Sequence, residues 1–301
     1  MHAIAIHGGA GALPRRALGS PAEKRYREGL AAALDQGYAV LDAGGSSLDA
    51  VIAAVRVLED DPAFNAGCGA ALTREGAAEL DAAIMEGRTL RAGAVAAVRH
   101  VRHPIELARR VMEKSRHVLL VGAGAEELAL EEGLELVPNE YFRTAERQAE
   151  LEALRGGRAV SELVPSPQGT VGAVARDAAG DLAAATSTGG MANKRAGRVG
   201  DSPIVGAGTY AKNGVCAVSA TGHGEYFMRI VAAHHVCAAV EYRGLTLEEA
   251  VRETLHRRLR ELGGSGGMIA IDHAGRITLD FTTEGMFRGA RDSTGLRTIE
   301  L

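Results

Sequence analysis

The fold of this chain is decided by two strand-like runs and the turn that joins them, residues 170–188, which read TVGAVARDAAGDLAAATST. The turn Ala178-Ala179-Gly180 has the length and the final glycine of a tight antiparallel hairpin. Residues equally distant from Ala179 then face each other, so Thr170 and Thr188 are predicted to be cross-strand neighbours. Facing threonines also arise from strand preference alone, so the pairing by itself does not establish a function.

The segments around this hairpin alternate between strand-like runs and amphipathic helices. We predict helices over 26–41, from the Ser46 cap onward, over 104–114, over 224–240 and from the Thr246 cap to 262. Short strands are predicted at 69–74, 79–86, 92–99, 117–121 and 214–220, with a last hairpin over 268–281. The polar stretch 137–169 has the composition of a solvated, mobile connector. This pattern predicts an α+β fold with two stacked sheets covered by helices, and a single mixed sheet is the alternative.

Composition excludes several classes of protein. With 301 residues, 46% hydrophobic and 24% charged, the chain can bury a core, and 39 glycines with only 4% aromatics favour a core of small side chains. The net charge of -4 gives no basic footprint for nucleic acid or for an anionic membrane surface. The 3 cysteines are too few and too widely spaced for a disulfide framework or a zinc site. Without an export signal or a membrane span, we expect a cytoplasmic protein that acts on a small molecule.

The joint between Gly169 and Thr170 is the first candidate for chemistry, because a strand begins there directly after the polar stretch. A cut at this joint would give Thr170 a free α-amine with a pKa of roughly 7.7–8.0, which can act as general base for its own hydroxyl. The hydroxyl of Thr188 could polarise that nucleophile. Before the cut, the same hydroxyl could attack the carbonyl of Gly169, so that the protein would cleave itself.

Two glycine-containing loops downstream offer groups that could bind a substrate. Arg198 and Asp201 could hold the carboxylate and the ammonium of an α-amino acid, although a surface salt bridge in a turn is the simpler interpretation. Thr221 and Gly222 lie between a strand and a helix, where they could form an oxyanion hole or an ordinary helix start.

Taken together, six motifs resemble the plant-type L-asparaginase/isoaspartyl peptidase family of N-terminal-nucleophile hydrolases. The motifs occur in order along nearly the whole chain: His7-Gly-Gly-Ala-Gly, Phe64-Asn65-Ala66-Gly67, Gly169-Thr170-Val171-Gly172, Thr186-Ser-Thr-Gly-Gly190, Gly197-Arg-Val-Gly-Asp-Ser-Pro203 with Gly206-Ala-Gly-Thr-Tyr210, and Thr221-Gly-His-Gly-Glu225. The resemblance implies a single domain with an αββα sandwich, self-cleaved into an α chain of residues 1–169 and a β chain of residues 170–301. It further implies assembly as a dimer of these αβ heterodimers.

The resemblance also assigns roles to single residues. It implies Thr170 as the nucleophile, Thr188 as its hydroxyl partner, and Thr221 with Gly222 as the oxyanion hole. The substrate's carboxylate and amine would be held by Arg198 and Asp201, in a pocket shaped by Gly224. Catalysis would need no cofactor. A structural sodium ion is implied on backbone carbonyls of Leu58, Glu59, Asp61, Phe64, Ala66 and Cys68.

The expected activity is hydrolysis of L-asparagine and of β-aspartyl (isoaspartyl) dipeptides through a covalent ester on Thr170. The alternatives are a glycosylasparaginase of the same superfamily and a non-catalytic amino-acid-binding protein that stays unprocessed. Two positions depart from the family pattern or vary within it. Gln168 stands where many relatives have Asp before the cleavage site, and His223 occupies a variable position at the predicted rim of the pocket.

Overall fold

The computed structural model describes residues 1–11, 19–157 and 169–301. The first part of the chain forms the elements β1 (Ala3–Ala10), α1 (Pro21–Asp42), α2 (Ser47–Asp60), β2 (Leu80–Glu86), β3 (Ala92–Val98), α3 (Pro104–Lys114), β4 (Leu119–Val121), α4 (Ala123–Glu131), a 3₁₀ turn (Asn139–Phe142) and α5 (Ala145–Arg155). The later part forms β5 (Val171–Arg176), β6 (Leu182–Thr188), β7 (Thr209–Lys212), β8 (Cys216–Gly222), α6 (Gly224–Ile230), α7 (Ala232–Arg243), α8 (Leu247–Arg252) with a π-helical continuation (Glu253–Leu259), β9 (Gly266–Asp272), β10 (Ile277–Phe281), β11 (Met286–Asp292) and β12 (Arg297–Glu300). This is a mixed α+β fold, as predicted.

Two sheets carry the fold within these described residues. The larger has the strand order β12-β11-β1-β5-β6-β2-β3-β4, and the smaller has the order β10-β9-β8-β7. The predicted hairpin is confirmed: β5 and β6 are antiparallel, with Val171 opposite Ser187, and Gly180 in the turn has a φ of +93°. The two strands lie in the middle of the larger sheet, where both faces are covered.

Small apolar side chains pack the two sheets against each other. Ala5, Val174 and Ala184 of the larger sheet share one core cluster with Ala217 and Ile269 of the smaller sheet. The outer face of the larger sheet is covered by α1, α2 and α3, and that of the smaller sheet by α6, α7 and α8. The low aromatic content predicted such a core, because small side chains let sheet backbones approach closely.

Helix caps explain where three of the helices begin. Ser46 accepts a hydrogen bond from the Asp49 N–H at 3.1 Å and opens α2, as predicted. Thr246 and Glu249 form a complete capping box at α8, which was also predicted. Thr144 accepts from the Arg147 N–H at 3.2 Å and opens α5, which the sequence analysis did not predict.

Three predicted segments are wrong. Residues 69–74 form only isolated bridges, since the Ala71 N–H is taken by the Asn65 side chain at 2.7 Å. The predicted connector 137–169 holds the 3₁₀ turn and α5 in its described part, 137–157 and 169. Its charges misled the prediction, because Arg147 and Glu150 form a buried ion pair at 2.9 Å instead of facing water.

The third error is the single helix predicted over 224–240. The chain breaks at Val231, which has a left-handed φ of +49° and separates α6 from α7. The first N–H groups of α7 then bind a neighbouring loop: Ala233 donates to Ala207 O and His234 donates to Gly206 O. These two hydrogen bonds to the loop before β7 favour two separate helices over the single helix that was predicted.

Candidate active site

The predicted nucleophile and its partner meet at the end of the central hairpin. Thr170 lies just before β5 and is 7% exposed, and its Oγ1 donates to Oγ1 of Thr188 at 3.1 Å. The Thr188 oxygen also accepts the N–H of Gly190 at 3.0 Å. The Thr188 hydroxyl keeps one hydrogen of its own, which can turn to donate to Oγ1 of Thr170 when that oxygen loses its proton. The cross-strand pairing predicted from the turn is therefore confirmed.

A third hydroxyl, which sequence reasoning missed, completes the surroundings of Thr170. Ser202 is buried, and its Oγ lies 3.3 Å from Thr170 Oγ1. Because the single hydroxyl hydrogen of Thr170 points to Thr188, Ser202 can serve as a donor to Thr170. The only signal in the sequence was its position after Asp201 in the predicted binding loop.

Gly169 fits a space that no other residue could occupy. A Cβ at this position would lie 2.4 Å from Cα of Gly9 and 2.7 Å from Oγ1 of Thr221. The strands β1 and β8 therefore enclose the residue before the predicted nucleophile. The neighbouring Gln168 lies outside the described residues.

The predicted oxyanion hole lies beside this glycine. Thr221 is fully buried in β8, and its Oγ1 accepts the N–H of Ala10 at 3.0 Å. The hydrogen of the Thr221 hydroxyl is therefore left to donate elsewhere. Gly222 has a φ of +145°, and a Cβ there would lie 2.5 Å from Ser265 O, so only glycine fits.

The two predicted binding groups differ in their present partners. Arg198 is half-buried and donates to Glu225 from Nε at 2.9 Å and from Nη2 at 2.8 Å. Asp201 is buried, and among the described residues its Oδ2 has no hydrogen-bond partner. Burial raises the pKa of Asp201 to about 7. A buried carboxyl with an orphaned oxygen is suited to receive an ammonium group.

Gly224 shapes the space around this carboxyl. It is the first residue of α6, and a Cβ there would lie 2.7 Å from Asp201 Oδ1. A side chain at position 224 would therefore displace Asp201.

The neighbouring residue, His223, is exposed and lies at the start of the same helix, with Nδ1 3.5 Å from Ser265 Oγ.

A cavity of about 360 Å³ borders the joint between the predicted α and β chains. Among the described residues, its lining includes Gly169, Gly222 and His223, together with Asn65 and Met191. Arg147 and Glu150 from α5 lie in another part of its wall, so the unpredicted helix contributes to the site. The cavity thus meets the predicted oxyanion hole.

The predicted sodium site spans the last turn of α2 and the loop that follows it. Glu59 O accepts the N–H of Cys68 at 2.7 Å, and Asp61 O accepts that of Phe64 at 3.1 Å. Each of these two carbonyls keeps a second lone pair that a cation could use. An all-oxygen donor set of this kind fits a hard cation such as sodium.

Side-chain metal sites give a separate result. Within residues 1–11, 19–157 and 169–301, no group of three or more His, Cys, Asp or Glu is placed to hold a metal ion. A search of the helices in the same residues finds none that is long and apolar enough to cross a membrane.

The site as a whole consists of a buried threonine pair at the end of two paired strands and of a following loop that carries a guanidinium and a buried carboxyl. Residues 1–300 match the family model described as asparaginase, and the chain belongs to this family. It is 52% identical over 292 residues to the isoaspartyl peptidase of Salmonella typhimurium, covering 95% of this chain and 93% of that protein. The isoaspartyl peptidase of Escherichia coli is 53% identical over 292 residues, with 95% and 91% covered.

A mammalian relative shows the same likeness at greater distance. The isoaspartyl peptidase/L-asparaginase of Mus musculus is 45% identical over 285 residues, which cover 94% of this chain and 86% of that protein. The resemblance seen in the six sequence motifs is thereby confirmed.

Proposed function

We propose that this protein is a hydrolase that cleaves the side-chain amide of L-asparagine and the β-aspartyl bond of isoaspartyl dipeptides, using Thr170 as an amino-terminal nucleophile. The observation that carries the proposal is the 3.1 Å contact between the Thr170 and Thr188 hydroxyls, directly after a glycine enclosed by Gly9 and Thr221. The names of the bacterial and mouse relatives support the substrate class.

Self-cleavage comes first in this proposal. Oγ1 of Thr170 attacks the carbonyl carbon of Gly169, and the C–N bond between the two residues breaks as an ester forms and the Thr170 nitrogen takes up the proton. Water then hydrolyses the ester. The products are an α chain of residues 1–169 and a β chain of residues 170–301 that begins with a free amine.

Turnover repeats this chemistry on the substrate. The Thr170 amine takes the proton from Oγ1, and Oγ1 attacks the side-chain carbonyl carbon of the substrate. The hydroxyl of Thr221 and the backbone N–H of Gly222 then hold the oxyanion. The C–N bond breaks, ammonia or the amine of the second residue leaves with the proton, and water resolves the ester on Thr170 to aspartate. Thr188 and Ser202 support the charge on Oγ1.

Recognition uses the loop that follows β6. Arg198 binds the α-carboxylate of the substrate through its planar fork of N–H donors, and Asp201 binds the α-ammonium. Gly224 leaves Asp201 the space that it needs. Because both groups read the free α-amino-acid head, substrates without it are excluded.

The proposal extends to architecture and location. The two sheets and their outer helices form the αββα sandwich of N-terminal-nucleophile hydrolases, and the cleaved chains assemble as a dimer of αβ heterodimers in the cytoplasm. Sedimentation of the purified protein tests the assembly, since a single heterodimer would contradict it.

A structural sodium ion on the carbonyls of the loop 58–68 belongs to the same proposal. Its role is to stabilise the loop that carries Asn65 into the cavity. Replacing sodium chloride by choline chloride at equal ionic strength is expected to lower the melting temperature, because an ion bound only by the folded state stabilises it by about 2.7 kcal/mol at a hundred times its Kd. Equal melting in both salts would remove the ion from the proposal.

Thr170→Ala tests the central proposal. The variant is expected to stay in one piece on denaturing electrophoresis and to hydrolyse neither asparagine nor β-Asp-Leu, while wild type runs as two pieces. Thr170→Ser keeps a hydroxyl and should still split. Full turnover by Thr170→Ala would contradict the proposal. A separate assay with an N-glycosylated asparagine distinguishes this activity from that of a glycosylasparaginase.

A further inference from the structure

His7 is a buried titratable residue that the proposed chemistry does not use. Its Nδ1 lies 2.8 Å from the carbonyl oxygen of Thr170, and its Nε2 lies 2.9 Å from Oγ of Ser219. The β1–β5 ladder ends where His7 faces Gly172, so the strand pairing does not reach Thr170. The imidazole takes the place of a backbone partner for the Thr170 carbonyl.

Beyond the imidazole, three buried hydroxyls follow one another between the two sheets, and we name Ser219, Thr186 and Thr209 the hydroxyl chain. Ser219 lies 2.7 Å from Thr186, and Thr209 lies 2.6 Å from Thr186, measured between the side-chain oxygens. All three are fully buried. The last member also lies 3.0 Å from the carbonyl oxygen of Ser202, the residue whose hydroxyl contacts the nucleophile.

Counting hydrogens assigns the donors and acceptors at the His7 end of the hydroxyl chain. A carbonyl only accepts, so Nδ1 of His7 must carry the hydrogen that points to Thr170. Burial lowers the pKa of His7 to about 3, so the ring is neutral and Nε2 is an acceptor. Ser219 must then donate to Nε2, which leaves its oxygen free to accept from Thr186. The single hydroxyl hydrogen of Thr209 can go to Thr186 at 2.6 Å or to the carbonyl of Ser202 at 3.0 Å.

The space for this arrangement is made by a glycine of the sequence motifs. A Cβ on Gly172 would lie 2.1 Å from Oγ of Ser219 and 2.5 Å from Nε2 of His7. Any side chain at this position would push the serine and the imidazole apart. The glycine two residues after the nucleophile is thus explained by the contact between His7 and Ser219.

We propose that His7 is a positioning residue that orients Thr170 through its carbonyl, and that the hydroxyl chain holds the His7 ring in the Nδ1–H form. The inference rests on the proposed role of Thr170 as nucleophile. Its importance grows after cleavage, because Thr170 then has no preceding residue to hold it. Its Oγ1 and amine are then oriented by the bond to Val171 in β5, by the side-chain hydroxyl contacts and by this carbonyl contact.

A direct measurement is the tautomer of His7 in the processed enzyme. The ¹⁵N chemical shifts of labelled histidine separate a protonated ring nitrogen from an unprotonated one, and the His7 signals are assigned by their loss in His7→Asn. We expect hydrogen on Nδ1 and none on Nε2. Hydrogen on Nε2, alone or together with Nδ1, would overturn the inference even if every variant failed to fold.

A matched pair of isosteric variants tests the effect on turnover. Thr186→Val breaks the hydroxyl chain. Thr254→Val removes a buried hydroxyl that, in the part of the chain that the structure describes, donates to Ala250 O one turn earlier, at 2.8 Å. Misplacement of a reacting group lowers the rate without weakening binding, so we expect Thr186→Val to reduce kcat about tenfold at unchanged KM. Thr254→Val is expected to leave both constants unchanged, and Thr186→Ser, which keeps the hydroxyl, to restore most of kcat.

The outcomes separate this inference from the proposed function. If Thr170→Ala is inactive but Thr186→Val behaves like Thr254→Val, the positioning role of His7 is wrong and the nucleophile stands. If Thr170→Ala remains active, the proposed function fails first. A rise in KM with unchanged kcat in Thr186→Val would also contradict the inference, because it would place the hydroxyl chain in substrate binding.

Discussion

Two regions of the site lie next to each other but are built on different principles: the β5–β6 hairpin that ends at Thr170 and Thr188, here the nucleophile hairpin, and the loop that carries Arg198 and Asp201, here the binding loop. Thr170 and Thr188 are neutral, buried and fixed by the ladder of two central strands. Arg198 and Asp201 are charged groups on a loop, and one is already paired with Glu225 while the other keeps an orphaned oxygen. The proposed reacting groups are thus preorganised by backbone pairing, whereas the proposed recognition groups would be completed by the substrate.

The largest effect is expected at the strand-built pair. Thr188→Val removes the acceptor for the Thr170 hydroxyl at nearly constant volume, and the loss of one such polarising contact costs on the order of a hundredfold in kcat. KM should change little, because the binding loop is untouched. Steady-state kinetics check this, with Thr254→Val as the control, and a change confined to KM would erase the distinction between the two regions.

The next effect is expected at the guanidinium. Arg198→Lys keeps the charge but loses the planar fork, so KM for asparagine should rise roughly ten- to thirtyfold, with a smaller change in kcat. The matched control is Arg257→Lys, which alters an exposed residue paired with Glu253 one turn earlier in its own helix, away from the binding loop. A kcat loss as large as that of Thr188→Val would show that the loop also organises the reaction.

A smaller effect is expected from pH. The pKa of Asp201 is raised to about 7 by burial, so the carboxylate that binds the ammonium is the minor form at pH 6 and the major form at pH 8. KM should therefore fall by about fivefold between pH 6 and pH 7, where the substrate ammonium stays charged. In Asp201→Asn the KM should be high and independent of pH, and a wild-type KM that rises with pH would contradict this assignment.

The smallest effect is expected at Glu225. Its carboxylate occupies the Arg198 fork from a partly exposed position, and such pairs contribute little, so Glu225→Gln should lower KM about twofold by freeing the guanidinium. Glu241→Gln, which removes the partner of Lys212 instead, is the control. Binding of aspartate measured by calorimetry checks the same point without turnover, and weaker binding in Glu225→Gln would show that the pair preorganises Arg198.

The sequence predicted the strand-built region better than the rest, for a physical reason. One glycine turn fixes the register of a hairpin, and register fixes which side chains face each other, so Thr170 and Thr188 follow from local residues alone. The caps at Ser46 and Thr246 also depend on residues close in sequence, and the mixed fold was predicted from the local patterns of single helices and strands.

What the sequence did not reveal depends on contacts between distant segments. The strands β7, β11 and β12 are short or polar and gain their strand character from partners far along the chain. The charges of Arg147 and Glu150 favoured exposure to water in the prediction, because either charge can be buried only when the other is buried beside it as its partner. The imidazole of His7 reaches Thr170 from β1, the neighbouring strand of the larger sheet, and the hydroxyl of Ser202 reaches it from the loop between β6 and β7. Both contacts join segments that are distant in sequence.

The most direct measurement is the intact mass of the freshly purified wild-type protein, combined with sequencing of its amino termini. The account predicts two chains, one of residues 1–169 and one that begins with Thr170, and no turnover in any fraction that remains whole. A single chain of 31.3 kDa with full activity would contradict the central claim that the nucleophile is a new amino terminus.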